Sequence, residues 1–402
     1  TQFLVTSLDY DSYVGQVAIG RLDNGTLQLN QRYCLCGADE NKHNNKLSAC
    51  YTFNGLQKIK VNKLESGDII AIAGIDGINI GDTLTDNEVP KPLPRITIDE
   101  PTLSMYFHVN DSPFSGKEGK FLTSRNLLER LHKETLRNVS LNIKETDTPS
   151  IIEVSGRGEL QMAVLIETMR REGYELMVSK PKVIVKINDN VKEEPMEKVF
   201  LDLSEEHVGT ITEKLSIRKG RMLNLQNNGF GRVLLEFIVP SRGLIGFRNQ
   251  FLTETKGSGI MNSLFEGYAA WAGNIPQRTN GVLIADRKGK ITGYASLAMA
   301  DRGELLVDIG TEVYPGMIVG ERNRAGDIDV NITKEKKLTN MRSSTSEATV
   351  TLRAVKKLSL DQCIEFIGED ELLEITPKNI RLRKRELDVN KRHSQRKKNK
   401  EN

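Results

Sequence analysis

No two cysteines of this sequence are spaced as C-x-x-C, and none of Cys34, Cys36, Cys50 and Cys363 has histidines at matching intervals. The usual zinc spacings and a disulfide framework are thereby excluded, which leaves reduced, mostly buried thiols. No apolar run approaches the roughly 18 to 20 residues of a membrane-spanning helix, and Thr1 to Tyr10 lack the basic-then-apolar order of a signal peptide. The chain reads as cytoplasmic, without a membrane partner. Catalytic motifs are missing too: there is no G-x-x-x-x-G-K-[ST], no H-E-x-x-H and no G-x-S-x-G. The nearest string to a phosphate loop, Ser115-Gly116-Lys117-Glu118, lacks the upstream glycine and the hydroxyl that would hold Mg²⁺. Asn62-Lys63-Leu64-Glu65 ends in Glu where a guanine-reading N-K-x-D requires Asp. Histidines 43, 108, 132, 207 and 393 are scattered. No enzyme, metal site or cofactor is read in this chain.

What is present is length, charge and repeated order. At roughly 100 to 200 residues per domain, the 402 residues should form three or four domains. The formal net charge is +3, unevenly placed: Arg381 to Asn402 hold ten Lys or Arg against three acids. That basic end reads either as a solvated, disordered tail or as an arm following a phosphate backbone.

The predicted fold class is multidomain β and α+β. Residues 1–92 read as an antiparallel β-barrel, with strands at Phe3 to Leu8, Gly15 to Arg21, Leu56 to Val61 and Asp68 to Gly74, and corners at glycines 67, 74, 77 and 81. Pro90 to Pro94 reads as a stiff linker. Residues 95–186 read as a ferredoxin-like split βαβ domain. Its first helix carries Leu128, Leu131, Leu136 and Val139; its second begins with Glu159 and carries Met162, Leu165, Ile166 and Met169. The same order recurs over 195–273, with Val208, Ile211 and Leu215 on one helix and Leu244, Phe247, Phe251 and Leu252 on another starting near Arg242. Residues 276–386 read as a β-rich C-terminal domain, with strands at Gly281 to Asp286, Gly289 to Met299, Glu304 to Ile309, Met317 to Val319 and Glu347 to Ala354. It has an exposed loop over Ile332 to Ser346 and a helix behind a Ser359/Gln362 capping box. Residues 387–402 read as a disordered basic tail.

Basic residues placed where phosphate could dock are the candidate sites. Ser241-Arg242-Gly243 precedes a predicted helix, where free backbone donors favour an anion, with Arg242 and Arg248 nearby; capping by Ser241 is the alternative. The loop from Lys334 to Arg342 supplies Lys334, Lys336, Lys337, Thr339, Asn340, Met341 and Arg342. Its charges would attract phosphate while Asn340 and Arg342 reach or stack on bases; a solvated hairpin is the alternative.

These modules and words resemble the BipA/TypA class of bacterial translational GTPases, relatives of elongation factor G and LepA, over about Phe3 to Leu387. Val5-Thr6-Ser7-Leu8-Asp9-Tyr10 and Gly67 to Gly74 resemble the class's second domain; Val154 to Leu160 and Met169 to Gly173 its third; and Val239 to Arg248 its elongation-factor-G-type fifth. Lys336-Lys337-Leu338-Thr339-Asn340-Met341-Arg342 and Thr376-Pro377 to Lys384-Arg385 resemble the C-terminal domain peculiar to the class. Where relatives usually carry His-Leu, this chain has Gln161-Met162. The resemblance implies a monomeric, ribosome-binding portion that engages the A-site region, the large subunit and its 23S rRNA, with room for A-site tRNA, in large-subunit assembly and stress-adapted translation. The resemblance carries a ribosome-contacting role onto the loop Lys336 to Arg342 and onto Arg242 and Arg248, while Arg381, Arg383, Lys384 and Arg385, at the head of the basic end, join the candidate RNA contacts by their charge. It also implies GTP and Mg²⁺ for a GTP-binding domain expected before Thr1, so the chain reads as a fragment. A nucleotide-independent RNA-binding scaffold and a LepA-like or ribosome-protection-like factor are the rival readings.

Overall fold

The computed structural model describes the chain except residues 12, 39–40, 56, 97–99, 228, 230, 276–277, 279, 336–353 and 395–402. It is multidomain, β-rich and α+β, with several antiparallel sheets. Two compact units divide it: Thr1–Pro101 with Arg125–Lys144 and Val154–Arg157, and Thr102–Ser124 with Glu145–Glu153 and Gly158–Asn402. The stretch 95–186 is thus shared between them. Among the described residues no helix is long and apolar enough to cross a membrane.

The first unit holds an eight-stranded sheet ordered Asn41–Lys46, Arg32–Cys36, Thr83–Asp86, Gln2–Asp11, Gly15–Asn24, Ile69–Ala73, Ala49–Asn54, Gln57–Val61. Along the strand Gln2–Asp11, Phe3 and Val5 point into the core and then Leu8 does; a bulge between Val5 and Ser7 moves the inward face from odd to even positions. Leu22, Leu27, Ile70, Ile72 and Leu84 complete that core. At the expected corner Gly74, φ is +99° and a Cβ would stand 2.5 Å from the Ser48 amide nitrogen, so both conformation and space require glycine. The helix Ser124–Arg137 buries Leu127 and Leu131 rather than the predicted Leu128 and Leu136, and Val139 lies beyond its end while still packing on the barrel-side core.

In the second unit, Leu103–Val109, Leu176–Ser179, Glu371–Ile375 and Ile380–Lys384 pair antiparallel in that order. The last two were not read as strands. They come from the far end of the chain and extend the sheet, with Leu176 opposite Ile375 and Val178 opposite Leu373. The helix Glu159–Glu172 buries the expected Met162, Leu165, Ile166 and Met169 and packs against the helix Leu360–Phe366, whose Ser359/Gln362 capping box is formed as read.

A second sheet of this unit runs Arg221–Asn227, Arg232–Pro240, Val191–Ser204, with Ile260–Ala270 on the far side of Val191–Ser204. The helix Val208–Ile217 covers it through Ile211 and Leu215. The helix expected from Arg242 is in fact two, Ser241–Leu244 and Phe247–Glu254, broken at Gly246, where φ is +75°. A Cβ there would stand 3.0 Å from the carboxyl carbon of Glu365, so the glycine admits a side chain from elsewhere in the unit.

In the C-terminal region Val282–Ala285 pairs antiparallel with Ile318–Arg322 and parallel with Ile328–Val330. The strand expected over Gly289 to Met299 is a two-residue strand, Gly289–Lys290, followed by the helix Gly293–Met299. Thr292 caps that helix by accepting from the Ala295 amide, and Ala, Leu and Met then sustain it. Of Glu304 to Ile309 only Gly303–Leu305 is strand. The strand read at Glu347 to Ala354 lies, but for its last residue, outside the described residues.

Candidate nucleic-acid interface

The predicted loop is described only at its root. Ile332, expected to be exposed, is 1% exposed and belongs to the C-terminal core with Leu283, Met317 and Val330. Lys334 is exposed, and its carbonyl accepts from the Thr292 hydroxyl, which ties the loop's first residue to the helix-capping threonine. Lys336, Lys337, Thr339, Asn340, Met341 and Arg342 lie outside the described residues.

Arg242 is not available to an external phosphate. Its guanidinium grips both carboxylate oxygens of Glu194, which is 0% exposed, donates to the Gly273 carbonyl and lies 3.8 Å from the Trp271 ring centroid. Glu194 also accepts from the Ala272 amide at 2.8 Å. Ser241 does not cap: Pro240 occupies the cap position and the Ser241 hydroxyl is buried without a partner. Arg248 is exposed but shares a cavity of about 110 Å³ with Glu159, Asp361 and Glu365, an acidic setting for an anion-binding role.

The basic word near the C-terminus is mostly internal. Arg381, Arg383 and Lys384, read as RNA contacts, are 9%, 2% and 2% exposed. Arg381 pairs with Glu118 at 2.6 Å and Glu374 at 3.0 Å; Arg383 with Asp111 at 2.6 Å; Lys384 with Asp327 at 2.7 Å and with Asp370 and Glu371 at 2.9 Å. The cause is register. Glu374 stands opposite Arg381 and Glu371 opposite Lys384 across the hairpin, so E-L-L-E answers R-L-R-K strand to strand. Arg385 alone of the four is exposed. Arg392, in the tail read as disordered, is 4% exposed, pairs with Asp329 and donates to the carbonyls of Glu386 and Leu387.

The Ser115-Gly116-Lys117-Glu118 turn does cradle an anion, and it is the chain's own. The amides of Gly116 and Glu118 donate to Glu175 at 2.9 Å each, and that of Gly119 at 2.6 Å; Glu175 is 3% exposed. A nucleotide phosphate and its Mg²⁺ do not fit a nest already holding a buried carboxylate. Cys34, Cys36, Cys50 and Cys363 are free and buried, and burial pushes the Cys50 thiol up to about 11 and the Cys363 thiol to about 12.

Three stretches match known families: residues 15–85 elongation factor Tu domain 2, residues 191–279 the elongation factor G C-terminus, and residues 280–389 the TypA/BipA C-terminal domain. Over 400 residues the chain is 46% identical to a Bacillus subtilis protein named large ribosomal subunit assembly factor BipA, a match covering 99% of this chain and 65% of that protein. The chain belongs to the BipA/TypA family. Proteins of the same name from Salmonella typhimurium and Haemophilus influenzae are each 47% identical over 392 residues, covering 97% of this chain and 65% and 64% of theirs. The chain therefore spans somewhat under two thirds of the length of these BipA relatives, and the similarity runs through the whole of it rather than through a shared module.

Proposed function

We propose that this chain is a ribosome-binding portion of a BipA-type translational GTPase that acts in assembly of the large ribosomal subunit, engaging 23S rRNA through the segment rooted at Lys334 and through Arg385. The observation that carries the reading is identity of 46% over 99% of the chain to a protein named as a large ribosomal subunit assembly factor, joined to a match over 280–389 with the C-terminal domain of that class. The modules fit it: residues 1–92 serve as a barrel of the translation-factor second-domain type, 95–186 and 195–273 as split βαβ domains, and 276–386 as the class-specific domain. GTP and Mg²⁺ belong to the activity of the whole factor, not to the residues described here. The reading also places the work in the cytoplasm, beside the ribosome, as a monomer.

Sedimentation of the chain with purified large and small subunits tests it. Association with large subunits is expected, weakening as salt rises by roughly 0.7 to 0.9 in log K per log salt for each phosphate neutralised. Equal retention by both subunits, or none by either at low salt, would contradict the reading.

A further inference from the structure

Within the second unit, the sheet of Val191–Ser204, Arg221–Asn227, Arg232–Pro240 and Ile260–Ala270, with its helices, meets the helix pair Glu159–Glu172 and Leu360–Phe366 around a cavity of about 110 Å³. Two hydrogen bonds cross that contact, and both end on carboxyl groups. The Gly246 amide donates to Glu159 at 3.1 Å, and the Asn249 side-chain amide donates to Glu365. The break between Ser241–Leu244 and Phe247–Glu254 makes this approach possible, since Gly246 sits in the left-handed region and its missing Cβ leaves the space that Glu365 enters.

The charges around Glu159 come from three other elements. Asp361 and Glu365 belong to Leu360–Phe366, Arg248 to Phe247–Glu254, and Arg218 follows Val208–Ile217. Arg218 donates to the carbonyls of Gly243 at 2.8 Å and Ile245 at 2.9 Å and to the Gln250 amide oxygen at 3.1 Å. Its guanidinium therefore braces the break, and its charge attracts Glu159 only from beyond hydrogen-bond reach. Arg248 is exposed, so water weakens its field. An ionised Glu159 thus faces two further carboxyls across a cavity walled in part by Leu160 and Ile364. Ionisation would strengthen the bond from the Gly246 amide, but burial and the neighbouring acids outweigh that gain and hold the Glu159 carboxyl up at about 7. Burial raises Glu365 as well, and Asp361 adds to it.

We propose that this contact is a pH-sensitive latch, closed while Glu159 carries a proton and loosened when it ionises, so that the Gly246 segment is released from the helix pair. A carboxyl that holds its proton more tightly in the closed contact than in the open one favours closure at low pH. That preference is lost as pH rises from about 4.5, the ordinary value, to about 7.

Hydrogen exchange of the full chain, followed by fragmentation mass spectrometry at the amides of 246–249, reads the latch directly. Gly246 donates to Glu159, and the first amides of the helix Phe247–Glu254 have no intrahelical acceptor. After correction for base-catalysed intrinsic exchange, protection there should fall by about tenfold from about pH 6 to about pH 8, the change required by a carboxyl value of about 4.5 when open and about 7 when closed. Glu159→Gln cannot ionise and still accepts from Gly246, so its protection should stay constant over that range. Asp361→Asn takes away one repelling charge and touches neither hydrogen bond, so the fall should shrink. The strand Arg232–Pro240 should keep its protection throughout, which separates release of the contact from unfolding of the sheet. Equal protection at both pH values in the unmodified chain, an undiminished fall in folded Glu159→Gln or Asp361→Asn, or an equal fall in Arg232–Pro240 would overturn the proposal.

Discussion

Glu159 begins its helix, a position where a carboxylate ordinarily gains from the helix dipole, yet its carboxyl is pushed up to about 7. Burial is the main cause. The charges of Glu365 and Asp361 add to it, while the Gly246 amide, donating at 3.1 Å, and Arg218 act the other way. Arg248 and Asn249 close the same small cavity. A carboxyl whose pKa is raised in the folded state binds its proton more tightly there than in the unfolded chain. Its contribution is therefore most favourable below the unfolded value and is lost as pH rises from about 4.5 to about 7. Glu159→Gln keeps an acceptor for the Gly246 amide and removes the titration. The variant should melt close to the parent near about pH 5 and above it near about pH 8, by the equivalent of roughly 1 to 3 kcal/mol. Thermal melts of both proteins across that range check this; a difference that does not grow with pH would mean the carboxyl titrates at an ordinary value.

The hairpin of Glu371–Ile375 and Ile380–Lys384 is the element where charge and fold are most tightly joined. Glu371 and Glu374 are 0% exposed, and each meets a cation directly across the ladder. Removing one partner of a buried pair leaves an uncompensated charge and typically costs about 3 to 5 kcal/mol, whereas replacing both with apolar groups of similar volume is close to neutral. Arg381→Met alone should therefore lower the melting temperature sharply, with Glu374→Leu added it should recover in part, and Glu118 limits the recovery because it also pairs with Arg381 at 2.6 Å. Equilibrium denaturation of the two variants measures this; equal loss in both would mean the hairpin is held by its backbone pairing. The same element shows what the sequence could and could not disclose. Local signals are legible: the Ser359/Gln362 box and the Met162-to-Met169 stripe each depend on residues within a few positions, and the Gly74 corner is marked by the glycine alone, though Ser48, distant in sequence, is what also denies it a side chain. The basic run at Arg381 to Arg385 was misread because its partners Asp111, Glu118 and Asp327 are distant in sequence, although the mirrored E-L-L-E just upstream was a readable hint. The break at Gly246 was hidden for the same reason, since what it admits is Glu365. At Gly289 to Met299 the apolar residues suit a strand as readily as a helix, and the signal that favours the helix is Thr292, whose side chain accepts from the Ala295 amide at its start.

Across the whole molecule, the internal placement of Arg381, Arg383, Lys384 and Arg392 changes which cations the proposed RNA contact could use. A net charge of +3 then overstates nothing about attraction by itself, because the cations that count are those whose donors reach solvent. Lys334 and Arg385 are exposed, and Lys336, Lys337 and Arg342 follow Lys334 in the sequence. Lysine acts on phosphate as a point charge, whereas an arginine can stack and make two parallel hydrogen bonds and an asparagine can pair with a base edge. Lys336→Ala with Lys337→Ala should weaken association with large subunits and reduce the salt slope by up to about two contacts' worth. Asn340→Ala or Arg342→Ala should lose about 1 to 3 kcal/mol, with the smaller change of slope for Asn340. Arg381→Met is the contrasting control, since it should lower the melting temperature, while the loop variants should leave melting unchanged. Sedimentation over a salt series, beside thermal melts, separates the two behaviours. If all four loop substitutions leave binding intact in folded protein, RNA is engaged through another face, and Arg385 becomes the next residue to replace.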